Sequence, residues 1–177
     1  MIVRVRIRPA IVGDAAQIAD LHVRSWQAGY AGLVPKPLLD GVDRAARLTR
    51  WKELLCDTDW PRSGTLAAED GDRLVGFARL CPEQGTDRST GGEVAAFHVT
   101  PARWRESIGR TLMGVALAQL TNAGFDHAIL WVVHGNHRAI HFYAAMGWRE
   151  DGAQRVEASN ALSGHAVTEI RMTRPLP

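Results

Sequence analysis

The segment His127–Val133, which reads His-Ala-Ile-Leu-Trp-Val-Val, is apolar at both odd and even positions. Side chains alternate across a strand, so a strand that is apolar on both faces has to be covered on both. The chain must therefore build a sheet with helices on either side, and this strand belongs near its centre. The flanking sequence supplies such helices. One follows Pro101 for about 15 residues and ends near Gly124. After the strand, Ala139, Phe142, Tyr143 and Met146 occupy one helical face, and Gly147 is placed to cap its C-terminus.

The rest of the chain divides into short elements. Met1 to Pro9 alternates apolar and basic residues and reads as a first strand. Asp14 has the form of a helix N-cap with Gln17 placed to reach back, predicting a helix to about Ala28. Gly29, Gly32, Pro35 and Pro37 end it, and a second helical stretch covers roughly Leu38 to Leu55 with Trp51 inward. Two strands, Thr65–Glu69 and Arg73–Cys81, flank the hairpin signal Asp70-Gly71-Asp72. Pro82–Gly92 reads as an exposed loop and Glu93–Val99 as the next strand. Trp148 onward and His165–Thr173 supply the last two strands, with turns at Gly152 and Ser163-Gly164. The order β-α-α-β-β-β-α-β-α-β-β predicts one α/β (α+β) domain over residues 1–177, without internal repeat or linker.

Several function classes fall away. No uncharged apolar run is long enough to cross a bilayer and the N-terminus lacks a signal-peptide stretch, which fits a soluble, cytoplasmic protein without a membrane partner. The net charge is only +2 and the arginines are scattered, so no dedicated nucleic-acid face is indicated. Cys56 and Cys81 lack metal-type spacing and read as reduced thiols, although a disulfide between them stays open.

The run Val99-Thr100-Pro101-Ala102-Arg103-Trp104-Arg105-Glu106-Ser107-Ile108-Gly109-Arg110 delivers a turn and a helix start at the end of a strand. Unpaired first-turn amides and the helix dipole can hold a pyrophosphate there, strengthened by Arg103, Arg105 and Arg110. Taken alone, the same pattern also fits a plain surface connection.

Two motifs in order carry a resemblance. Glu93–Leu112 is similar to motif A of the Gcn5-related N-acetyltransferases, and Asn136 to Trp148 is similar to the superfamily's following segment, N-x-x-A-x-x-F-Y-x-x-x-G-[FYW]. The Ile7-Arg8-Pro9 opening, Ser25-Trp26 and Gly29-Tyr30-Ala31-Gly32-Leu33-Val34-Pro35 resemble many members too. The resemblance implies a mixed, mostly antiparallel sheet of about seven strands flanked by about four helices. It implies acetyl-CoA as acyl donor, bound between the strands ending at Val99 and Val133, and transfer to a primary amine of a small molecule or peptide by direct attack. A homodimer is also within the family's habit. Backbone at Phe97 and Val99, with His98 beside them, would meet the acetyl and pantetheine part. Trp104, Arg105, Glu106, Ser107, Ile108, Gly109 and Arg110 would wrap the pyrophosphate, Asn136 would contact the cofactor, and Tyr143 would protonate the departing thiolate. The family pattern [QR]-x-x-G-x-[GA] is broken by Trp104 and by Ser107, and Glu106 adds negative charge beside an anion. These departures suggest the alternative of a catalytically silent acyl-CoA-binding or sensing domain.

Each candidate also has a plainer reading. Glu93 is the candidate general base or an exposed strand-end carboxylate; His98 is a second base or faces the other side of the sheet. Tyr143 could be a core aromatic whose hydroxyl finds a backbone partner, and Asn136 a helix N-cap. Trp26, Tyr30 and Trp51 line the acceptor pocket or are core. His134, His137 and His141 invite a metal, but no acidic or cysteine ligand follows at a recognisable spacing, so none is assigned.

Overall fold

The computed structural model describes residues 5–84, 90–157 and 167–177. Its elements are β1 (Arg6–Pro9), α1 (Ala15–Gly29), α2 (Lys36–Asp40), α3 (Arg44–Cys56), β2 (Gly64–Asp70), β3 (Arg73–Pro82) and β4 (Gly91–Val99). α4 (Ile108–Asn122), β5 (His127–Val133), α5 (His137–Ala145), β6 (Arg149–Glu157) and β7 (Val167–Pro175) follow. They form one seven-stranded sheet in the order β1-β2-β3-β4-β5-β7-β6. Every pairing is antiparallel except β4 with β5, which α4 joins as a crossover. The mixed, mostly antiparallel sheet and its flanking helices match the architecture expected from the sequence.

The two faces bury separate cores. α4 and α5 pack on one face, with Leu80, Leu112, Met113, Leu120, Leu130 and Met172 essentially inaccessible. α1 and α3 cover the other, burying Ile18, Leu21, Trp51, Leu55 and Phe77. Burial of such side chains contributes about 1.5–3 kcal/mol each. Among the described residues no helix is long and apolar enough to cross a membrane.

Four local expectations are corrected. Asp14 does not cap α1: residues Val12–Asp14 already wind into a 3-10 turn, and the carboxylate accepts from Ile11 N (2.8 Å) and from both terminal nitrogens of Arg8 (2.7 and 3.0 Å). Gln17 accordingly turns outward to the β2–β3 hairpin, accepting from Leu74 N. The second helical stretch is two helices, because the Asp43 carboxylate accepts from Ala45 N and Ala46 N and starts α3 afresh. Gly152, expected in a turn, lies inside β6 at φ +88°, where the register with β7 shifts as a bulge. Ser163, Gly164 and the expected strand start at His165 lie outside the described residues.

The connection that matters for function runs from β4 into α4. A 3-10 turn, Pro101–Arg103, comes first and α4 then runs 15 residues from Ile108, the turn and the helix length expected from the sequence. Between them Arg105 (φ +70°) and Ser107 (φ +63°) hold left-handed backbone that ordinarily goes to glycine. Ser107 makes no side-chain cap bond to offset this. Ser107→Gly should therefore raise unfolding free energy by about 0.5–1 kcal/mol in urea titrations, after allowing for the extra freedom of an unfolded glycine. Unchanged or lower stability would mean that the serine hydroxyl contributes as much as the conformation costs.

Candidate active site

β4 and β5 pair only at Gly91–His127, Gly92–Ala128 and Glu93–Ile129, then part. The pairing is anchored by close approach: a Cβ on Gly92 would lie 2.8 Å from Leu120 and 2.9 Å from the Phe125 ring. Beyond Glu93, β4 keeps β3 as its partner while β5 keeps β7. A cleft of about 620 Å³ opens where they diverge. Its walls are Phe97, His98 and Val99 of β4, Arg103, Trp104, Arg105, Ser107, Gly109 and Arg110 of the following loop and helix start, Ser25 of α1, and Arg138, Ala139, Phe142 and Tyr143 of α5.

The loop end of the cleft suits a polyanion. Arg103 is neutralised by Asp70 (2.9 Å) and Glu106, so Glu106 is turned away from the cleft by an ion pair. Arg105, Arg110 and Arg138 have no carboxylate partner among the described residues and line the cleft. The Arg138 guanidinium stacks 3.2 Å above the Trp104 ring, and Trp104 Nε1 donates to Val99 O at 2.8 Å. Trp104 thus fastens the loop to the strand end and occupies the Val99 carbonyl. Ile108 is 2% exposed, so its side chain belongs to the core and only its first-turn backbone can serve a ligand. Gly109 sits against Phe142, where a Cβ would come within 3.4 Å.

Tyr143 lies at the inner end. Its ring is edge-on to Phe97, Phe142 and Trp148, with Phe97 and Phe142 stacked at 5.7 Å. The hydroxyl forms no hydrogen bond among the described residues, unlike a core tyrosine that finds a backbone acceptor. Burial first, then Tyr30, raises the phenol well above its ordinary pKa, so it is a proton carrier at any working pH.

His98 faces α1. Its Nδ1 lies 2.8 Å from Ser25 Oγ, and that hydroxyl is within hydrogen-bond reach of His22 O at 3.1 Å. With the hydroxyl proton on His22 O, Nδ1 is the donor to Oγ and Nε2 keeps the lone pair; with it on Nδ1, Nε2 carries the proton. Burial and then Arg47 push the ring down to about 3, leaving it neutral. Glu93 is 6% exposed, which removes the reading of an exposed strand-end carboxylate. It accepts from the Gln84 backbone, its carboxyl is raised chiefly by burial, and it does not line the cleft. Asn136 caps α5, Oδ1 accepting from Ala139 N at 3.2 Å, and is likewise outside the lining. Trp26 is buried against Val34 and Leu39, with the Tyr30 ring 5.4 Å away; neither lines the cleft. The rings of His137 and His141 are 6.4 Å apart. Sequence reasoning missed Ser25 and Arg138 as cleft residues. Arg138 had a signal, two positions after Asn136 on the helix that borders the cleft; Ser25 had none that local sequence could show.

The chain is similar to known proteins in sequence and in fold. Residues 17–148 match the family described as "Acetyltransferase (GNAT) family". The chain is 28% identical over 173 residues to an uncharacterized N-acetyltransferase, YuaI of Bacillus subtilis, covering 97% of this chain and 93% of that one. Two solved structures share the fold. A GCN5-related N-acetyltransferase from Rhodopseudomonas palustris superposes with a TM-score of 0.77 at 19% identity, covering 99% and 98% of the two chains. YncA from Salmonella typhimurium, solved with its cofactor acetyl-CoA, superposes at 0.71 and 18%, covering 98% and 94%.

The histidines of the α1–β4 contact generate a pH prediction. Burial, then His98 and Arg47, hold His22 well below 6.5, as burial and Arg47 hold His98. The unfolded chain protonates both near pH 6.5. Below that the unfolded state binds more protons, so stability falls as pH falls, by up to about 1.4 kcal/mol per pH unit per histidine. In urea titrations from pH 7.5 to 5, His98→Gln should decline less steeply than the unsubstituted protein. Equal slopes would contradict a neutral buried His98.

Proposed function

The chain belongs to the Gcn5-related N-acetyltransferase (GNAT) family, and we propose that it transfers the acetyl group of acetyl-CoA to a primary amine by direct attack. The observation that carries this reading is the Tyr143 hydroxyl, without a hydrogen bond among the described residues, in the same cleft between β4 and β5 as the start of α4 and its arginines. Acetyl-CoA is the acyl donor that fits the family, and YncA, a structural neighbour, was solved with it.

The cleft divides the work. The amides at the start of α4 and Arg105, Arg110 and Arg138 hold the pyrophosphate end. The thioester then lies along β4 toward Phe97 and Tyr143. An amine is nucleophilic only when neutral, and His98 Nε2, with Nδ1 donating to Ser25 Oγ, accepts one of its N–H bonds and aims the lone pair at the carbonyl. Of the two bases read from the sequence, His98 alone lines the cleft, and we assign it the contact with the amine. As the C–N bond forms and the C–S bond breaks, the nitrogen loses one proton to solvent and the thiolate takes the phenol proton of Tyr143, which solvent replaces.

The silent-domain alternative arose from Glu106 and Ser107. Glu106 is paired with Arg103, and Ser107 holds the glycine-like backbone that the turn requires. Neither observation favours a dead site. Tyr143→Phe should lower kcat by about 10²-fold while leaving acetyl-CoA affinity within a few-fold, measured by thiol release and by direct binding. A Tyr143→Phe enzyme with full turnover would remove the general-acid role; no turnover of the unsubstituted protein across a broad amine panel would favour the silent domain.

A further inference from the structure

Arg47, half-buried on α3, has no carboxylate partner among the described residues. Its Nη1 lies 3.2 Å from His22 Nε2 and 3.5 Å from His22 Nδ1. A neutral ring offers a single lone pair, so at most one of these contacts is a hydrogen bond and neither supplies a counter-charge. Trp51 Nε1, which can only donate, lies 3.1 Å from His22 Nδ1, so the lone pair is on Nδ1 and the proton on Nε2. Arg47 is then left with the longer, 3.5 Å contact to a lone pair that Trp51 already uses. Protonating the ring would lose the Trp51 bond as well, and burial together with His98 and Arg47 already disfavours it.

The nearby acids are spent. Asp20 pairs with Arg24 (2.9 Å) and Arg44 (3.0 Å), Asp43 caps α3, and Glu169 pairs with Arg155 (2.7 Å). The one group that favours the charge of Arg47 is the Tyr30 phenol. A partly desolvated guanidinium is costly without a partner, and its planar fork suits a carboxylate.

Its position ties it to the cleft. The His22 ring is 4.5 Å from the His98 ring, and His98 lines the cleft with Ser25. Tyr30 is close enough to Arg47, Arg138 and Tyr143 for their charges to interact, which puts the guanidinium on the Tyr30 side of His98. Tyr30, too, makes no hydrogen bond through its hydroxyl among the described residues.

We propose that Arg47 is the acceptor-specificity residue, binding a carboxylate carried by the same small molecule whose amine meets His98. The acceptor class is then a compact amino acid rather than a simple amine or polyamine. This inference rests on the transferase reading above.

The test supplies acetyl-CoA with L-amino acids, each paired with its carboxamide and its decarboxylated amine, and measures thiol release. At least one amino acid should be turned over with kcat/KM about 10-fold or more above both partners, in line with a charge-assisted bidentate contact. Arg47→Met should lower kcat/KM for that amino acid at least 10-fold more than for its carboxamide, and Arg47→Lys should retain part of the preference. Circular dichroism and thermal melting check that the variants fold. Carboxamides or amines turned over as well as the acids, or an unaltered preference in a folded Arg47→Met protein, overturns the inference and leaves the transferase standing. No thiol release with any pair, on protein that binds acetyl-CoA, overturns both.

Discussion

The site depends on how little of β4 and β5 is paired. Three residue pairs hold the two strands, and the small size of Gly92 lets that junction sit tightly against Leu120 and Phe125. Past Glu93 each strand is supported from its outer side, β4 by β3 and β5 by β7. An opening inside a sheet would normally expose unpaired backbone at a cost. Here it is kept by antiparallel neighbours on both sides and by two separate cores above and below.

Two devices convert the opening into a charged receptacle. One is the loop from Arg103 to Ser107, whose two left-handed residues bring the start of α4 to the end of β4. Trp104 fixes it by bonding Val99 O, and Arg138 locks onto Trp104 from α5. The other is selective neutralisation. Arg103 is consumed by Asp70 and Glu106, which leaves Arg105, Arg110 and Arg138 for a ligand and cancels the acidic residue that would have opposed it. On the far wall, Ser25 bonds His98 Nδ1 and burial keeps the ring neutral. The cleft thus combines cationic side chains with a neutral imidazole and a phenol.

Much of this was legible in the sequence because it is written locally. The doubly apolar β5, the Asp70–Asp72 hairpin, the Gly147 cap and the strand-to-helix run after Val99 each depend on neighbouring residues, and each is found where the pattern put it. The failures share a physical cause. Asp14 looks like a cap until Arg8, brought back by the 3-10 turn, claims its oxygens. Asp43 looks like a mid-helix residue until its carboxylate is seen capping α3. Asn136 caps α5, as its plainer reading from the sequence had it, while the side chain of Ile108 is turned into the core. Ser25 and Arg47 matter through the packing of α1 and α3 on β4, which no spacing in the chain encodes.

Acetyl-CoA is expected to enter this cleft although Ser107 stands where the family pattern has glycine. Calorimetric titration of the purified protein with acetyl-CoA, compared with CoA and ATP, tests it most directly. Saturable one-to-one binding, tighter for acetyl-CoA than for ATP and weakened by replacing Arg138 with Met, is the predicted result. Absence of acetyl-CoA binding by folded protein would contradict the account, leaving the fold in place and the cleft without its ligand.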